Sequence, residues 1–451
     1  MKAKNYLIVG AGRSGIAAAQ MLLQLGENFL IYDGNTNLDT SAVTKQIAEN
    51  INVQFILGDV NKAELENIDI CVVSPGVPLD TPIMKAVKEM NIPVYSEIEL
   101  AYLYDKGSII AITGTNGKTT TTSLVYEIVR AHDSDTLLVG NIEIPYTGLA
   151  LTSKEGGATV AEISSFQLET MITFRPKVSA ILNITPDHLD RHKTMENYAD
   201  IKKSIAKNQT ADDFCVLNYE DDVLREFGKT LGCKVIFFSS LRELENGYYY
   251  KDGTIYFAEN GVSEAFINVD ETNLVGLHNY ENIMAAVAMT KSFGISEDII
   301  KAVLKRFTAV EHRIEYVATK KGVRYYNDSK GTNTDAAIKA IDAMPSTTVL
   351  IGGGYDKDAD FDEWVSHFPG KVRKLVLIGQ TKEKIAKSCD KIEFKDYCFA
   401  EDLEEAVKIC AETAQDGDCC LLSPACASWG MFKNYQQRGT MFKEYVNEIK
   451  E

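Results

Sequence analysis

Apolar residues fill positions 6–9, a glycine-rich hexapeptide follows, and apolar positions then recur at helical spacing as far as Leu25. That change of period predicts a strand, a tight turn and a helix. A second strand over 28–32 ends at Asp33; apolar runs at 53–57 and 70–73, the string SPGVP and a helix reaching Met90 complete a first α/β unit. We assign it residues 1–98.

The pattern restarts with a strand over 109–113, the string GTNGKTTTT and a helix to Arg130, and further strands are predicted at 159–163 and 178–184. Short β-rich runs at 247–250, 253–257 and 264–268, joined by turn residues, predict a small antiparallel element decorating this unit. A helix over 279–293 is expected to close a central domain of residues 99–308. After Glu311-His312-Arg313 the pattern resets, with strands at 323–327, 347–351, 374–378 and 419–422 alternating with helices. Residues 309–451 therefore read as a third α/β domain. Neither a 20- to 50-residue repeat nor a low-complexity segment interrupts the chain.

Composition narrows the partners. Lys and Arg number 47 against 64 Asp and Glu, a net charge of −17 with no local basic patch. Such a chain repels nucleic acid and anionic membranes, so any phosphate-bearing substrate must be held by local devices. The N-terminus enters a strand directly, and no run of about 20 apolar residues occurs; membrane insertion is not expected. Nine cysteines without a CxxC pair suit reduced thiols and a cytoplasmic location, with Cys419 and Cys420 in a buried strand.

Two glycine motifs carry chemistry. Gly10-x-Gly12-x-x-Gly15 after a strand, with Asp33 eighteen residues beyond, fits a turn whose glycines let backbone approach a diphosphate at a helix N-terminus. It serves a dinucleotide or a UDP-sugar equally, and tight strand-helix packing would also explain it. Gly114-Thr115-Asn116-Gly117-Lys118-Thr119-Thr120 is the stronger signal: backbone N–H groups around phosphates, a lysine over the terminal ones and a hydroxyl for magnesium. Ile112 stands where the general phosphate loop has its first glycine, so this loop is a variant. A buried-strand carboxylate, Glu162, would complete a magnesium-ATP site, a structural salt bridge being the alternative.

The string TGTNGKTT resembles the ATP-binding loop shared by the Mur ligases and the folylpolyglutamate synthetases, and the likeness covers essentially the whole chain. GNI at 140–142, AEISSFQLE at 161–169, TPDHLDRH at 185–192, GLHNYEN, EHR, NDSKGTN and LSPACASWGMFKNYQQRG at 422–439 resemble the D-glutamate-adding members of the Mur ligases. The resemblance implies a Rossmann-like N-terminal domain, a central P-loop ATPase-like domain and a Rossmann-like C-terminal domain. These would bind, in order, a UDP-substrate, ATP with two magnesium ions, and an amino acid.

Site residues follow from the same resemblance. Gly12, Arg13, Ser14, Asp33, Ser74, Gly76, Asn141 and His188 would hold the UDP-substrate. Asn279, Asn282, Arg313 and Asp328 would join residues 114–120 around ATP. Asn279 could instead cap its helix, and Arg313, Asp328 and Lys330 could be surface ion pairs. Thr119, Glu162 and His188 would contact magnesium, although His188 and His192, at i and i+4 beside Asp187 and Asp190, could simply pack. The tyrosine-plus-four spacing from Tyr198 marks Lys202 as a lysine carbamylated by CO₂; without the family, Lys202 reads as a solvated helix lysine, and Lys203 is adjacent. Thr332, Lys357, Ser428 and Tyr435 would meet the incoming D-glutamate.

The implied reaction is carboxylate activation by ATP and amide formation with D-glutamate on UDP-N-acetylmuramoyl-L-alanine, by a monomer of the peptidoglycan precursor route. Lys118, Glu162, His188, Lys202, Arg313 and Lys330 would carry the chemistry, and closure of the third domain on the second would exclude water. A relative with another amino acid or a folate acceptor, an NAD-dependent dehydrogenase built on Gly10–Gly15, and a non-catalytic nucleotide-gated regulator are the competing readings.

Overall fold

Three separate sheets take up the apolar runs, as seen in a computed structural model that describes residues 3–142, 144–308, 311–356 and 359–450, the side chain of Asp190 excepted. The first contains β1 (Asn5–Val9), β2 (Asn28–Asp33), β3 (Gln54–Leu57), β4 (Ile70–Val73) and β5 (Val94–Ser96) in the order β3-β2-β1-β4-β5, all parallel. The chain winds outward from β1 in one direction and then crosses to β4. That reversal opens a crevice at the carboxyl ends of β1 and β4, where doubly wound sheets bind ligands. Both faces are covered, so β4 is apolar and buried at every position.

The second sheet has nine strands: β6 (Ser108–Thr113), β7 (Leu137–Gly140), β8 (Ala158–Glu162), β9 (Val178–Ile181), β10 (Phe214–Asn218), β11 (Lys234–Ser239), β12 (Gly247–Lys251), β13 (Thr254–Glu259) and β14 (Val262–Asn268). Their order is β14-β13-β12-β11-β10-β9-β6-β8-β7. The short tyrosine-rich strands are not a separate decoration: β12 pairs parallel with β11 through Phe238 and Tyr248, and turns antiparallel only toward β13. β10 and β11 were not anticipated, and they supply that continuity. The strand expected over 178–184 stops at Ile181. Leu182 N–H still bonds to Thr113 O at 3.0 Å, but Asn183 O then accepts from Thr115 N–H at 2.9 Å. The chain leaves the ladder to buttress the phosphate loop. The helix Leu277–Ser292 does not close this region alone, since the helix Glu297–Arg306 follows it.

β15 (Glu315–Lys320), β16 (Val323–Asn327), β17 (Thr348–Gly352), β18 (Val372–Leu377), β19 (Tyr397–Phe399) and β20 (Cys419–Leu422) form the third sheet, ordered β15-β16-β20-β17-β18-β19. All pair parallel except β15 on β16. β15 is half-exposed and carries both charges and apolar residues, so it offers no run of the kind that marked its neighbours. Buried clusters line both faces of this sheet, one around Trp364 and Phe368, the other around Phe442 and Leu422. Cys419 and Cys420 are buried in β20 as expected, and the nine cysteines are free thiols.

The chain divides into two compact units, residues 1–266 with 281–303, and residues 267–280 with 304–451. Among the described residues no helix is long and apolar enough to cross a membrane.

Candidate active site

The glycine turn after β1 is shaped by close approach. Gly10 has φ +101°, and a Cβ on Gly15 would lie 1.9 Å from Gly10 O, so the helix Arg13–Leu25 starts hard against the strand it leaves. Asp33, at the end of β2, accepts from Ala11 N–H at 2.9 Å and from Asn35 N–H at 2.9 Å, and thereby fixes the turn. Gly12 has open space around it, and Arg13 is exposed beside it. Across the crevice, Ser74 Oγ donates to Gly10 O at 3.3 Å, and Gly76 is exposed with nothing near it. Gly12, Arg13, Ser14, Asp33, Ser74 and Gly76 thus gather at the switch point of the first sheet.

The phosphate loop links β6 to the helix Lys118–His132. Gly114 has φ +153° and Gly117 φ +83°, and a Cβ on Gly117 would come 2.4 Å from Asn282 Oδ1. Asn282 accepts from Thr121 Oγ at 3.1 Å, so it packs against the loop itself. Asn116 N–H donates to Asn183 Oδ1 at 2.8 Å, while Thr115 Oγ lies 3.1 Å from Tyr198 Oη. Lys118 Nζ donates to Gly114 O at 2.9 Å and Thr115 O at 2.8 Å, curled over the loop. Thr119 is half-buried and Thr120 buried in the first turn of the helix.

Glu162 ends β8, in register with Ile112 of β6, and is 1% exposed. Its Oε1 accepts from Asn141 Nδ2 at 2.7 Å; Oε2 is buried without a hydrogen-bond partner among the described residues. A buried, half-satisfied carboxylate is costly unless something not made of protein completes it, and a hard cation is the group that would. The salt-bridge alternative is therefore not what the structure shows.

The reading of Lys202 as a solvated lysine is overturned. It is 1% exposed, its Nζ donates to Gly114 O at 2.8 Å and lies over the Tyr198 ring, and burial followed by the Lys118 charge lowers its pKa to about 7. Lys203 instead pairs with Asp200 at 3.1 Å on the surface. His188 is exposed, adopts φ +51° at the start of the turn Leu189–His192, and lies against Phe166 with Asp187 beside it. His192 points inward to Ser165 Oγ at 3.0 Å, and burial depresses its pKa. The two histidines therefore do different jobs, and among the described residues no three His, Cys, Asp or Glu side chains converge as a metal cluster.

The second unit holds another constellation. Asp328, at the end of β16, accepts from Ser423 Oγ at 2.7 Å, and burial raises its carboxyl to about 7 against the opposing pull of Ser423 and Arg313. Arg313 sits between His312 and Ile314, both left-handed, and Lys330 N–H donates to His312 O at 2.9 Å. Lys330 Nζ lies 5.9 Å from the centre of the Tyr435 ring. Thr332 N–H donates to Lys330 O, and Ser428 is buried in the loop after β20. Asn279 lies within the first turn of the helix Leu277–Ser292 and donates to Val275 O at 2.8 Å, so it is not the cap. Lys357 lies outside the described residues.

Sequence reasoning passed over two arginines. Arg438, fully buried, donates to Ser329 Oγ at 2.9 Å, Ser329 O at 2.7 Å and Cys426 O at 3.2 Å, joining the loop of Asp328 and Lys330 to the loop of Ser428. Arg191 ties residues 75 and 77 to Glu169. Both lie inside quoted strings, Arg191 in TPDHLDRH and Arg438 in LSPACASWGMFKNYQQRG, but their partners are distant in sequence.

A doubly wound domain with a glycine turn at its switch point, a glycine-rich loop of the phosphate-loop pattern beside a carboxylate with one oxygen unpartnered among the described residues, and a further α/β domain fit the class of nucleotide-dependent ligases. The chain belongs to the Mur ligase family. Residues 4–96 match the family description "Mur ligase MurD-like, N-terminal domain", residues 112–290 "Mur ligase middle domain" and residues 312–426 "Mur ligase, glutamate ligase domain". The UDP-N-acetylmuramoylalanine--D-glutamate ligase of Lachnospira eligens is 54% identical over 449 residues, 100% of both chains. Its namesake from Thermoanaerobacter pseudethanolicus is 48% identical over 452 residues, 100% of this chain and 99% of its own. Among solved structures, a UDP-N-acetylmuramate-alanine ligase of Thermotoga maritima superposes with TM-score 0.60 at 17% identity, covering 99% of this chain and 100% of its own. A MurF ligase from the same organism in complex with ADP gives 0.57 at 17% identity, covering 99% and 96%. The structural likenesses speak for the fold.

Proposed function

We infer that the chain is an ATP-dependent ligase joining D-glutamate to the L-alanyl carboxylate of UDP-N-acetylmuramoyl-L-alanine. The observation that carries the ATP chemistry is the meeting of Lys118 and Lys202 on the Gly114 carbonyl, in a glycine loop one strand away from the Glu162 oxygen that has no partner among the described residues. The Lys118 ammonium held over the loop suits a polyanion, and Lys202, buried beside it, is the amine that carbamylation would convert to an anion. The choice of acceptor and amine is supported by relatives that match the chain end to end.

On this reading residues 1–98 bind the UDP-substrate through Gly12, Arg13, Ser14, Asp33, Ser74 and Gly76, helped by Asn141 and His188. Residues 99–308 bind ATP through residues 114–120 and Asn282, and the family resemblance adds Asn279, Arg313 and Asp328 as ATP-binding residues. Residues 309–451 bind D-glutamate through Thr332, Lys357, Ser428 and Tyr435. Two magnesium ions suit the donor set: Thr119, Glu162 and His188, with Lys202 adding an anionic oxygen once carbamylated. When bound, magnesium neutralises charge on the ATP phosphates.

An oxygen of the L-alanyl carboxylate attacks the γ-phosphorus, the bond to the β,γ-bridging oxygen breaks, and ADP leaves an acyl phosphate. Lys118, Arg313 and Lys330 meet the charge that develops on the transferring group. The D-glutamate nitrogen then attacks the acyl carbon and loses a proton, and the carbon–oxygen bond to phosphate breaks. No protein nucleophile is needed, so the buried thiols stay out of the chemistry.

The test is phosphate release from ATP and Mg²⁺ with UDP-N-acetylmuramoyl-L-alanine, offering D-glutamate, L-glutamate, L-alanine, L-lysine or meso-diaminopimelate as the amine. Release with D-glutamate alone is expected. Release with a different amine moves the specificity, and none with any amine overturns the ligase.

A further inference from the structure

Arg191 joins two loops that the proposed reaction uses for different purposes. Its Nε and Nη2 donate to Glu169 Oε1 at 3.1 Å and Oε2 at 2.6 Å, a two-pronged ion pair. Nη1 donates to Pro75 O at 2.8 Å, and Nη2 also reaches Val77 O at 3.1 Å. The guanidinium carbon lies 4.3 Å from the centre of the Phe166 ring, and that ring in turn lies 4.8 Å from the ring of His188. The Arg191 and Glu169 side chains are only 13% and 10% exposed, so the pair is shielded from the screening that makes surface ion pairs weak.

The grip falls on either side of Gly76. Val77 N–H bonds to Ser74 O at 3.0 Å, closing residues 74–77 into a turn, and Ser74 Oγ reaches the glycine loop at Gly10 O. Arg191 therefore holds a turn of the first sheet's crevice by its carbonyl oxygens, while Phe166 and Glu169 hold Arg191 beside His188. A flat, forked cation is needed for this: lysine has one point charge and cannot span a carboxylate and two carbonyls.

We propose that Arg191 is a positioning residue that sets the 74–77 turn, and with it the UDP-substrate, in register with His188. The inference rests on the ligase reading. It assigns Arg191 no contact with substrate; its effect is on where the turn stands.

The experiment measures, on the full chain, the Kd of UDP-N-acetylmuramoyl-L-alanine and of ATP separately by calorimetry, together with KM and kcat. Arg191→Met is expected to weaken the UDP-substrate about tenfold or more, the scale of one lost charge-assisted hydrogen bond. ATP binding should stay within about twofold of wild type. Arg191→Lys keeps the charge without the fork and should lie between the two. Equal losses for both ligands, or none for the UDP-substrate, would overturn the proposal. Should Arg191→Met fail to fold, Glu169→Gln removes the carboxylate that orients the guanidinium, and wild-type affinity for the UDP-substrate there would count equally against it. Wild-type turnover with D-glutamate checks the underlying reading independently: its failure would leave the binding comparison readable.

Discussion

Lys118 and Lys202 donate to one and the same oxygen, the carbonyl of Gly114, at 2.9 and 2.8 Å. Two like charges on one acceptor, one of them buried, are tolerable only if one is neutral or an anion joins them. Burial and the Lys118 charge bring Lys202 to about 7 from an ordinary 10.5, so near neutrality a large share of it is the free amine.

Only a neutral amine adds CO₂. Carbamylation of Lys202 should therefore grow as pH climbs through about 7, where an exposed lysine would need pH near 10. In stability the sign is set by the depressed pKa: the unfolded chain holds this proton up to its higher pKa, so the cost of burying Lys202 is full below about 7 and falls as pH rises toward 10.5. The measurement is a ¹³C carbamate resonance from labelled bicarbonate, followed against pH. A signal that survives in Lys202→Met would place the carbamate elsewhere.

Glu162 Oε2 is buried and lacks a protein partner among the described residues. Glu162→Gln should raise the magnesium concentration needed for half-maximal turnover by at least about tenfold to 100-fold. The melting temperature should hold or rise, because that oxygen forfeits no hydrogen bond. A magnesium titration beside a thermal melt reads both, and an unchanged magnesium requirement contradicts the assignment.

Gly117 combines φ +83° with a Cβ position 2.4 Å from Asn282 Oδ1. Gly117→Ala should cost about 1–3 kcal/mol, expressed at the loop. Calorimetry should show ATP affinity falling while affinity for the UDP-substrate, which the proposed function places in the first sheet's crevice, stays at the wild-type value.

In the proposed reaction Lys118 supplies a preorganised charge to the transferring phosphoryl group. Lys118→Ala is expected to lower kcat by about 100- to 1000-fold. Turnover within about threefold of wild type would remove the phosphate loop from the mechanism.

What could be read in advance follows from how local each signal is. The glycine turn, the phosphate loop and Glu162 are legible because strand, loop and helix follow one another in sequence and the chemistry sits at the joints. Lys202 was misread because its helix, Met195–Lys203, is polar overall, and its burial comes from Gly114, 88 residues earlier. Arg191 and Arg438 stand within the quoted strings, but their roles are not legible there for the same reason: their partners Pro75 and Ser329 lie 116 and 109 residues away. Six strands lay outside the predicted runs: β5, β7 and β19 are short and β11 and β15 half-exposed, so pairing with neighbours defines them more than their own pattern does, whereas β10 is a buried run that the pattern did carry.

In the proposed reaction ATP activates the substrate carboxylate as an acyl phosphate. Running it with ¹⁸O in both oxygens of the L-alanyl carboxylate and weighing the phosphate released follows that oxygen. One ¹⁸O is expected in each phosphate, because the oxygen that attacks the γ-phosphorus leaves with it when D-glutamate displaces it. Phosphate free of ¹⁸O, released in step with amide formation, would contradict that activation.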